Sequence, residues 1–289
     1  MMYAETIEAI TNGAAAKANF SRERLGAYLV HSALAGAYVG LGIVLIFTIG
    51  APLFAAKVPF TPALMGAAFG IALSLVVFAG SDLFTGNAMV MPIGVLARRA
   101  TWGDLGRVWA WSYAGNLAGS FLLAGLVVLG GTLAMDPGLS FVTTVAARKM
   151  NLSFSEAFFR GILCNWLVCL AVWISFRSKS ETAKLAMIFW CLLAFIGSGY
   201  EHSVANMTLL GLAVMLPHGP EVSLAGLASN LIPVTLGNTA AGALFVGLAY
   251  WYTSPVRKSV PSREEAVPIP GGPAFTTASE AAIAEVTIR

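Results

Sequence analysis

The hydrophobic residues of this chain fall into six long runs separated by short polar stretches. The runs cover residues 25–49, 62–96, 109–133, 154–174, 185–216 and 232–252. A helix needs about 20 apolar residues to cross the hydrocarbon core of a bilayer, so the pattern predicts six transmembrane helices. The second and fifth runs exceed one crossing, and each contains a polar interruption, GSDLFTGN from Gly80 and GSGYEHSVAN from Gly197. Such interruptions are typical of helices that are broken within the membrane.

The composition supports an all-α integral membrane protein. Hydrophobic residues make up 57% of the 289 residues, charged residues only 11%, and the mean hydropathy is +0.78. Because a water-soluble domain contains about 25% charged residues, the lipid bilayer is the expected surrounding of most of this chain. The net charge of +3 is too small to indicate a nucleic-acid partner.

The basic residues lie mostly on one side of the predicted spans. Because Lys and Arg resist translocation, the side with more of them is cytoplasmic. Of the 17 basic residues, 13 fall before span one, between spans two and three, between spans four and five, or after span six. The other four are Lys57, Arg148, Lys149 and Arg160. Both termini are therefore predicted to be cytoplasmic.

This topology divides the chain into three parts. Residues 1–24 lack the apolar core of a secretory signal and are predicted to form an amphipathic cytoplasmic segment, with Ile7 and Ile10 facing lipid or protein. Residues 25–252 form the six-span transmembrane domain. Residues 253–289, in which Pro, Ser, Glu and Gly are frequent, are predicted to be a flexible cytoplasmic tail.

The two halves of the transmembrane domain resemble each other, over about residues 25–135 and 150–252. The matching positions are Gly80 with Gly199, Asp82 with Glu201, Asn87 with Asn206, Gly115 with Gly237, Asn116 with Asn238 and Gly125 with Gly247. Each half contains three spans, an odd number, so the second half must enter the bilayer in the opposite orientation. The sequence thus predicts two inverted three-helix repeats whose interrupted helices meet near the middle of the membrane.

Polar residues after each interruption are suited to start a new helix. Thr85 or Asn87 is the predicted N-cap in the first half of the domain, and Ser203 is the predicted N-cap in the second half. Both restarted helices would point their positive dipole ends toward the membrane centre, where they favour an anion. Unwound backbone at this depth is tolerated only where protein buries it or a cavity lies beside it, so we expect a solute path here.

His202 is the main candidate for chemistry, because it lies within the second interruption and imidazole exchanges a proton near neutral pH. Asp82 and Glu201 take equivalent positions, and we expect them to support the loops by accepting backbone N–H bonds. Asn165 and Asn238 are predicted to bond across helices and are candidate partners of His202. Apolar side chains that flank the interruptions are predicted to form narrow constrictions: Phe69, Leu73, Leu83, Phe84 and Phe195.

Five strings make the chain similar to the formate/nitrite transporter family, and most closely to its nitrite channel branch. They are LAGAYVGLGIVLIFTIG, GSDLFTGN, GILCNWLVCLAVW, CLLAFIGSGYEHSVANMTL and VTLGNT, and the similarity around them covers nearly all of residues 25–252. Members of this family are homopentamers of aquaporin-like protomers, each with its own pore, in the bacterial inner membrane. They pass small monovalent anions, so the resemblance implies a nitrite channel, with formate or hydrosulfide as the alternative substrate.

The resemblance also implies roles for single residues. It makes His202 the central pore histidine, Thr85 its partner, Asn165 and Asn238 the hydrogen-bonding asparagines, and Lys149 a basic residue near the outer vestibule. The five apolar residues named above match the constriction positions. Proton donation from His202 would convert nitrite to nitrous acid, which enters an apolar constriction far more easily than a bare anion does. No metal or organic cofactor is implied.

Two other classes of function remain open from the residues alone. A neutral-solute channel of the aquaporin type would carry paired NPA loops, which the sequence lacks. An intramembrane enzyme would need Glu201, His202 and Ser203 to act together, but adjacent side chains diverge and no second His or Asp completes a relay. The sequence therefore favours a transport protein over both.

Overall fold

The computed structural model describes residues 3–258, and the predicted tail lies outside them from residue 259 onward. The elements of the first half are α1 Ala4–Glu23, α2 Leu25–Ala55, α3 Thr61–Ala68, α4 Gly70–Ser74, the π-helical segment Leu75–Gly80, α5 Phe84–Leu96 and α6 Trp102–Leu129. Residues 81–83 connect the π-helical segment to α5, and we call them the first loop.

The second half has a similar succession of helices, although they are divided at different places. Its elements are α7 Gly138–Met150, α8 Phe154–Arg177, α9 Glu181–Gly197, α10 Ser203–Met215, α11 Leu224–Ala240, the π-helical segment Ala241–Leu248, α12 Ala249–Thr253 and the 3-10 turn Pro255–Lys258. Residues 198–202 connect α9 to α10, and we call them the second loop.

Long apolar helices dominate the described part of the chain. Five segments are long and apolar enough to cross a membrane: Leu25–Ala55, Thr61–Gly80, Trp102–Leu129, Phe154–Arg177 and Leu224–Thr253. The outer faces of these segments carry large apolar side chains; on α6, Leu122 is 66% exposed and Leu129 87% exposed. Apolar surface of this kind is stable in lipid and not in water. These features confirm the predicted all-helical membrane protein.

α1 packs against the protein along most of its length. Ile7 and Ile10 are fully buried, in a cluster with Met91 and Ile93 of α5. At the start of α1 the Tyr3 ring lies edge-on to the rings of Trp173 and Tyr250, and the Arg177 guanidinium lies 4.8 Å from the centre of the same ring. The two isoleucines, predicted to face either lipid or protein, thus face protein.

Glycine allows two pairs of helices to touch backbone to backbone. A Cβ on Gly119 of α6 would lie 1.8 Å from the carbonyl oxygen of Ala33 in α2, and a Cβ on Gly237 of α11 would lie 2.1 Å from the carbonyl oxygen of Phe158 in α8. Any larger residue at these positions would push the helices apart, because no flexible side chain is there to move. The close approach sets how α2 and α8 are placed around the two loops.

We predict that Gly119→Ala destabilises the fold by about 1–3 kcal/mol, the usual cost of overpacking a rigid site. The measurement is the melting temperature of the detergent-solubilised protein, followed by fluorescence-detected gel filtration. Gly125→Ala, on the same helix, is the matched control, because a Cβ there meets nothing within 4 Å. Equal melting temperatures for the two variants would contradict the proposed backbone contact.

Candidate functional site

The two loops begin with the same change of backbone direction. Gly80, just before the first loop, has φ 77°, and Gly199, within the second loop, has φ 69°. Left-handed backbone of this kind is accessible to glycine at little cost, so each helix ends abruptly and the chain turns inward. Sequence comparison of the two halves aligns these glycines, and the structure gives them the same conformation.

The backbone of each loop is hydrogen-bonded to a neighbouring helix. The N–H of Asp82 donates to the carbonyl oxygen of His31 in α2 at 3.2 Å, and the N–H of Glu201 donates to the carbonyl oxygen of Arg160 in α8 at 3.3 Å. Because lipid offers no hydrogen bonds, loop backbone inside a membrane protein needs partners of this sort. The long helices α2 and α8 supply them.

Asn116 fastens the first loop from α6 with three hydrogen bonds. Its Oδ1 accepts from the N–H of Phe84 at 2.9 Å, and its Nδ2 donates to the carbonyl oxygens of Ser32 at 2.8 Å and Asp82 at 2.9 Å. The side chain is fully buried, so the three bonds satisfy groups that water cannot reach. Asn116 therefore joins α2, the first loop and the start of α5.

Asn238 does the same for the second loop from α11. Its Oδ1 accepts from the N–H of Ser203 at 2.9 Å, and its Nδ2 donates to the carbonyl oxygens of Gly161 at 2.8 Å and Glu201 at 3.0 Å. Each partner of Asn238 has the counterpart position among the partners of Asn116. The two loops are thus held by matching sets of hydrogen bonds.

The carboxylate of Asp82 is buried and accepts bonds from three side chains. Lys17 of α1 and Asn87 of α5 donate to it at short distance, and the Tyr28 hydroxyl donates at 2.9 Å. The predicted donors were backbone N–H groups, whereas the donors in the structure are side chains from three helices. A buried charge needs such a partner set, because an unpaired carboxylate out of water is very costly.

Glu201 has an equivalent environment in the second loop. Lys149 of α7 donates to Oε1 at 2.7 Å, and Asn206 and Asn230 donate to Oε2 at 2.6 and 3.5 Å. Lys149 was expected near an outer vestibule; the structure places its ammonium against Glu201, with 19% of the side chain exposed. Its charge is therefore largely matched by the carboxylate beside His202.

His202 is the N-cap of α10. Its Nδ1 accepts a hydrogen bond from the N–H of Ala205 at 3.1 Å. The N-cap of α5 is Leu83, which makes no side-chain cap bond. The predicted caps, Thr85 or Asn87 for α5 and Ser203 for α10, are therefore wrong. Propensity favours hydroxyl and amide caps, but the N-cap of α5 lies two residues before Thr85 and four before Asn87, and the N-cap of α10 lies one residue before Ser203.

The hydrogen bonds of His202 define which ring nitrogen carries the proton. Because Nδ1 accepts from a backbone N–H, the proton of the neutral ring must be on Nε2. Nε2 lies 3.1 Å from Oγ1 of Thr85 and donates to it. Thr85, in the first turn of α5, thus orients an imidazole that belongs to the other half of the chain.

A small apolar cavity lies beside the imidazole. Its lining residues are Val39, Phe69, Ala72, Leu73, Leu83, Val168, Leu192, Phe195 and His202. The Phe195 ring stacks on the His202 ring at 5.9 Å between centres, and Phe69 meets Phe195 edge-on at 5.6 Å. Among the lining residues His202 has the one polar side chain. A solute in this cavity would therefore meet hydrocarbon on all sides but one.

Phe84 and Thr85 lie outside the lining of this cavity. Phe84, one of the five predicted constriction residues, packs edge-on against the Tyr113 ring at 5.1 Å between centres. Thr85 is fully buried behind the His202 ring. The structure brings the other four constriction residues together around one space, since Phe69, Leu73, Leu83 and Phe195 all line it.

Asn165 bonds backbone rather than the imidazole. Its Nδ2 donates to the carbonyl oxygens of Thr85 at 3.1 Å and Asn238 at 2.6 Å, while its buried Oδ1 has no protein partner. The hydrogen bonds of the His202 ring within residues 3–258 are those to Thr85 and Ala205, so the expected pairing with Asn165 or Asn238 is not formed. The two asparagines instead fix the backbone on either side of the ring.

Sequence reasoning missed Lys17, Tyr28 and Asn230, all of which bond a loop carboxylate. Lys17 was counted only as a basic residue of the cytoplasmic side. The available signal was the repeat itself: if Lys149 serves Glu201, a lysine on the helix before α2 should serve Asp82. Within the described residues no three His, Cys, Asp or Glu side chains form a group that could hold a metal ion.

Comparison with known proteins gives a consistent result. The chain matches the model of the formate/nitrite transporter family over residues 4–252. It is 47% identical, over 254 residues, to the nitrite transporter NirC of Salmonella typhimurium (strain LT2), a match that covers 88% of this chain and 93% of the relative.

Two solved structures are also similar. An ion channel of the FNT family superposes with a TM-score of 0.83 at 48% identity, over 86% of this chain and 99% of that one. A pentameric formate channel with formate bound superposes with a TM-score of 0.70 at 30% identity, over 78% of this chain and 95% of that one.

We predict that Asn238→Ala lowers the stability of the protein by about 3 kcal/mol, because it leaves the buried N–H of Ser203 and the carbonyl of Glu201 without the partner that Asn238 provides, and removes one of the bonds to the helical carbonyl of Gly161. The measurement is the melting temperature in detergent. Asn151→Ala is the matched control, since Asn151 is exposed and its side chain bonds only the carbonyl oxygen of Ala147 in its own helix. A loss no larger than that of the control would contradict the role assigned to Asn238.

Proposed function

This chain belongs to the formate/nitrite transporter family, and we propose that it conducts nitrite across the membrane as a small monovalent anion. Its relatives are named as transporters and channels, so it is a transport protein and not an enzyme. Nitrite is supported by the 47% identity with a nitrite transporter over 93% of that relative's length. Formate is the alternative, supported by the similarity to a formate channel at 30% identity.

We propose an aquaporin-like protomer with six membrane crossings, of which two are broken helices. The second crossing would run from α3 through the first loop to α5, and the fifth from α9 through the second loop to α10. In support, Asp82 and Glu201 are 119 residues apart and have the same kinds of partner, and Asn116 and Asn238, which are 122 residues apart, make the same three bonds. Three crossings in each half make the repeats inverted.

The substrate path would pass between the two loops. Asn165 and Asn238 would hold the backbone beside the path, and Asp82 and Glu201 would support the loops through their lysine partners. Phe69, Leu73, Leu83 and Phe195 would form the constriction that excludes water, with Phe84 packed behind it. Lys149, whose ammonium pairs with Glu201, would hold the second loop at the outer end of the path.

The observation that carries this proposal is the single imidazole in an otherwise apolar cavity. A bare anion entering hydrocarbon loses most of its hydration energy, and only groups fixed in the protein can replace it. His202 is held in place by Ala205 and Thr85, so its ring is oriented before the solute arrives. The neutral ring spends its one N–H on Thr85, so it would bind the anion by turning that N–H toward it, or after gaining a second proton that it could then give to the anion.

The proton step distinguishes two modes of transport. Protonated His202 would hold nitrite as an anion; donation of that proton would give nitrous acid, which passes the apolar constriction without a charge. A proton on Nδ1 would displace the bond from the Ala205 N–H, so the protonated ring is expected only while an anion is close. The transport would then be linked to protons through His202.

We further propose that the protein is a homopentamer in the inner membrane of a bacterium, with both termini in the cytoplasm. The pentamer is supported by the solved formate channel, and the location by the family and by the apolar helices. The orientation is supported by the excess of Lys and Arg on one side of the spans. The boundaries of the three parts of the chain, residues 1–24, 25–252 and 253–289, stay predictions.

We predict that His202→Asn reduces nitrite uptake into proteoliposomes by roughly tenfold or more and flattens its dependence on the imposed pH gradient. The lost contact is a hydrogen bond to a charged solute, which contributes about 1.5–3 kcal/mol. Asparagine is a good N-cap, so α10 should still begin at the same residue. The unchanged protein should take up nitrite faster when the nitrite side is more acidic.

His218→Asn is the matched control, because His218 is exposed in the loop after α10 and should not affect uptake. If uptake by His202→Asn keeps the pH dependence of the unchanged protein, the proton step is excluded. The proposal that the protein carries nitrite is not affected by that result. Absence of nitrite uptake by the unchanged protein would contradict the proposed substrate. In that case competition between formate and hydrosulfide in the same liposomes identifies which anion is carried.

We predict that Thr85→Val lowers uptake by several-fold and stability by about 1–3 kcal/mol, because it keeps the side-chain shape but leaves the buried Nε2–H of His202 without an acceptor. Uptake and melting temperature are measured on the same preparation. Thr85→Ser keeps the hydroxyl and should retain uptake. Thr48→Val, on the exposed face of α2, is the control for loss of a hydroxyl elsewhere. Equal uptake in Thr85→Val and Thr85→Ser would contradict the orienting role.

A further inference from the structure

A cluster of arginines at the start of α6 holds more positive charge than its acidic partner neutralises. Oδ1 of Asp104 accepts from Arg22 of α1 at 2.6 Å and from Arg107 of α6 at 2.9 Å. Oδ2 is occupied by the N–H and the hydroxyl of Thr101, at 3.0 and 2.8 Å. One carboxylate therefore serves two guanidinium groups, and the cluster keeps one surplus positive charge.

Both arginines keep donors for another ligand. A guanidinium has five N–H groups, and each of these two spends one on Asp104 in single-point contact. The Arg22 side chain is 55% exposed and the Arg107 side chain 36% exposed, whereas that of Asp104 is only 5% exposed. Two partly exposed guanidinium groups beside a buried carboxylate are suited to bind a phosphate group, because guanidinium binds phosphate through paired hydrogen bonds.

The surroundings of the cluster are those of a membrane interface. Trp102, two residues before Asp104, is 72% exposed, and tryptophan favours the level of the lipid headgroups. α2 begins with exposed apolar residues, Leu25 at 37% and Val30 at 64%. Gly26 and Gly106 are exposed, and a Cβ on either would meet nothing within 4 Å. The arginine cluster, the exposed Trp102 ring and the exposed apolar residues therefore lie together where α2 and α6 begin.

We propose that Arg22 and Arg107 bind the phosphate of an anionic phospholipid. The headgroup would lie on the two guanidinium groups, the Trp102 ring beside it, and the acyl chains along the exposed start of α2. Free phosphate would use the same donors but gain nothing from the apolar surface next to them. The cluster lies on the side predicted to be cytoplasmic, where anionic lipids attract basic residues. The site does not depend on which anion the channel carries.

The test is native mass spectrometry of the detergent-solubilised full chain, titrated with phosphatidylglycerol or phosphatidylcholine. We expect tighter binding of phosphatidylglycerol, and a loss of at least about tenfold in the double variant Arg22→Gln with Arg107→Gln, since it removes charge-assisted bonds. Trp102→Ala should weaken binding by a smaller factor. Lys184→Gln is the matched control: Lys184 pairs with Glu181 at 2.8 Å on the same predicted side and should leave binding unchanged.

Three outcomes would overturn the proposal. They are equal affinity of the unchanged protein for the two lipids, undiminished phosphatidylglycerol binding in the double variant, and full competition by inorganic phosphate, which would indicate a free-anion site. Trp102→Ala leaves every bond of Asp104 in place, so it still tests the site if the double variant does not fold. Nitrite uptake by each variant is measured in parallel, so a failure of lipid binding is separable from a failure of the transport proposal.

Discussion

The centre of this protein depends on one constraint: the backbone of the two loops is not helical, is buried from water, and still needs hydrogen-bond partners. At each loop the peptide groups lose their helical partners, and lipid offers no substitute. Asn116 and Asn238 solve this problem, because one amide side chain can accept from one N–H and donate to two carbonyls. The loops can therefore stay open next to a cavity instead of closing into continuous helix.

The carboxylates act on the same loops through charge. Asp82 and Glu201 are buried, and each is matched by a lysine of another helix, α1 for Asp82 and α7 for Glu201. A buried ion pair adds little net stability, but removing one member leaves an uncompensated charge. α1 and α7 are thus tied to the loops by electrostatics as well as by packing, and belong to the wall of the site.

Much of this arrangement was readable from the chain. The apolar runs predict the long helices, and the match of Asp82 with Glu201 and of Asn116 with Asn238 predicts where the loops lie and that they are alike. The loop residues follow from their position along the runs, as do five of the nine residues that line the cavity: Phe69, Leu73, Leu83, Phe195 and His202. What the pattern cannot supply is which groups pair across helices, because that depends on rotation and depth of each helix.

The predictions of N-caps and hydrogen-bond partners that proved wrong have this cause. Hydroxyl residues are the better N-caps by propensity, yet the N-caps are Leu83 and His202, whose side chains both line the cavity. Asn165 is predicted to be a partner of His202, but its amide donates to the backbone carbonyls of Thr85 and Asn238 instead. Lys17 was missed because a basic residue in a cytoplasmic segment has a simpler explanation.

The difference between Leu83 and His202 has a consequence for how such a protein can be built. The two residues are 119 positions apart, each begins the helix after its loop, and both line the same space. Two separate copies of one half would present a pair of imidazoles or a pair of leucines. Joining the halves covalently lets each of them diverge, so that a solute in this space would have an imidazole on one side and a hydrocarbon side chain on the other.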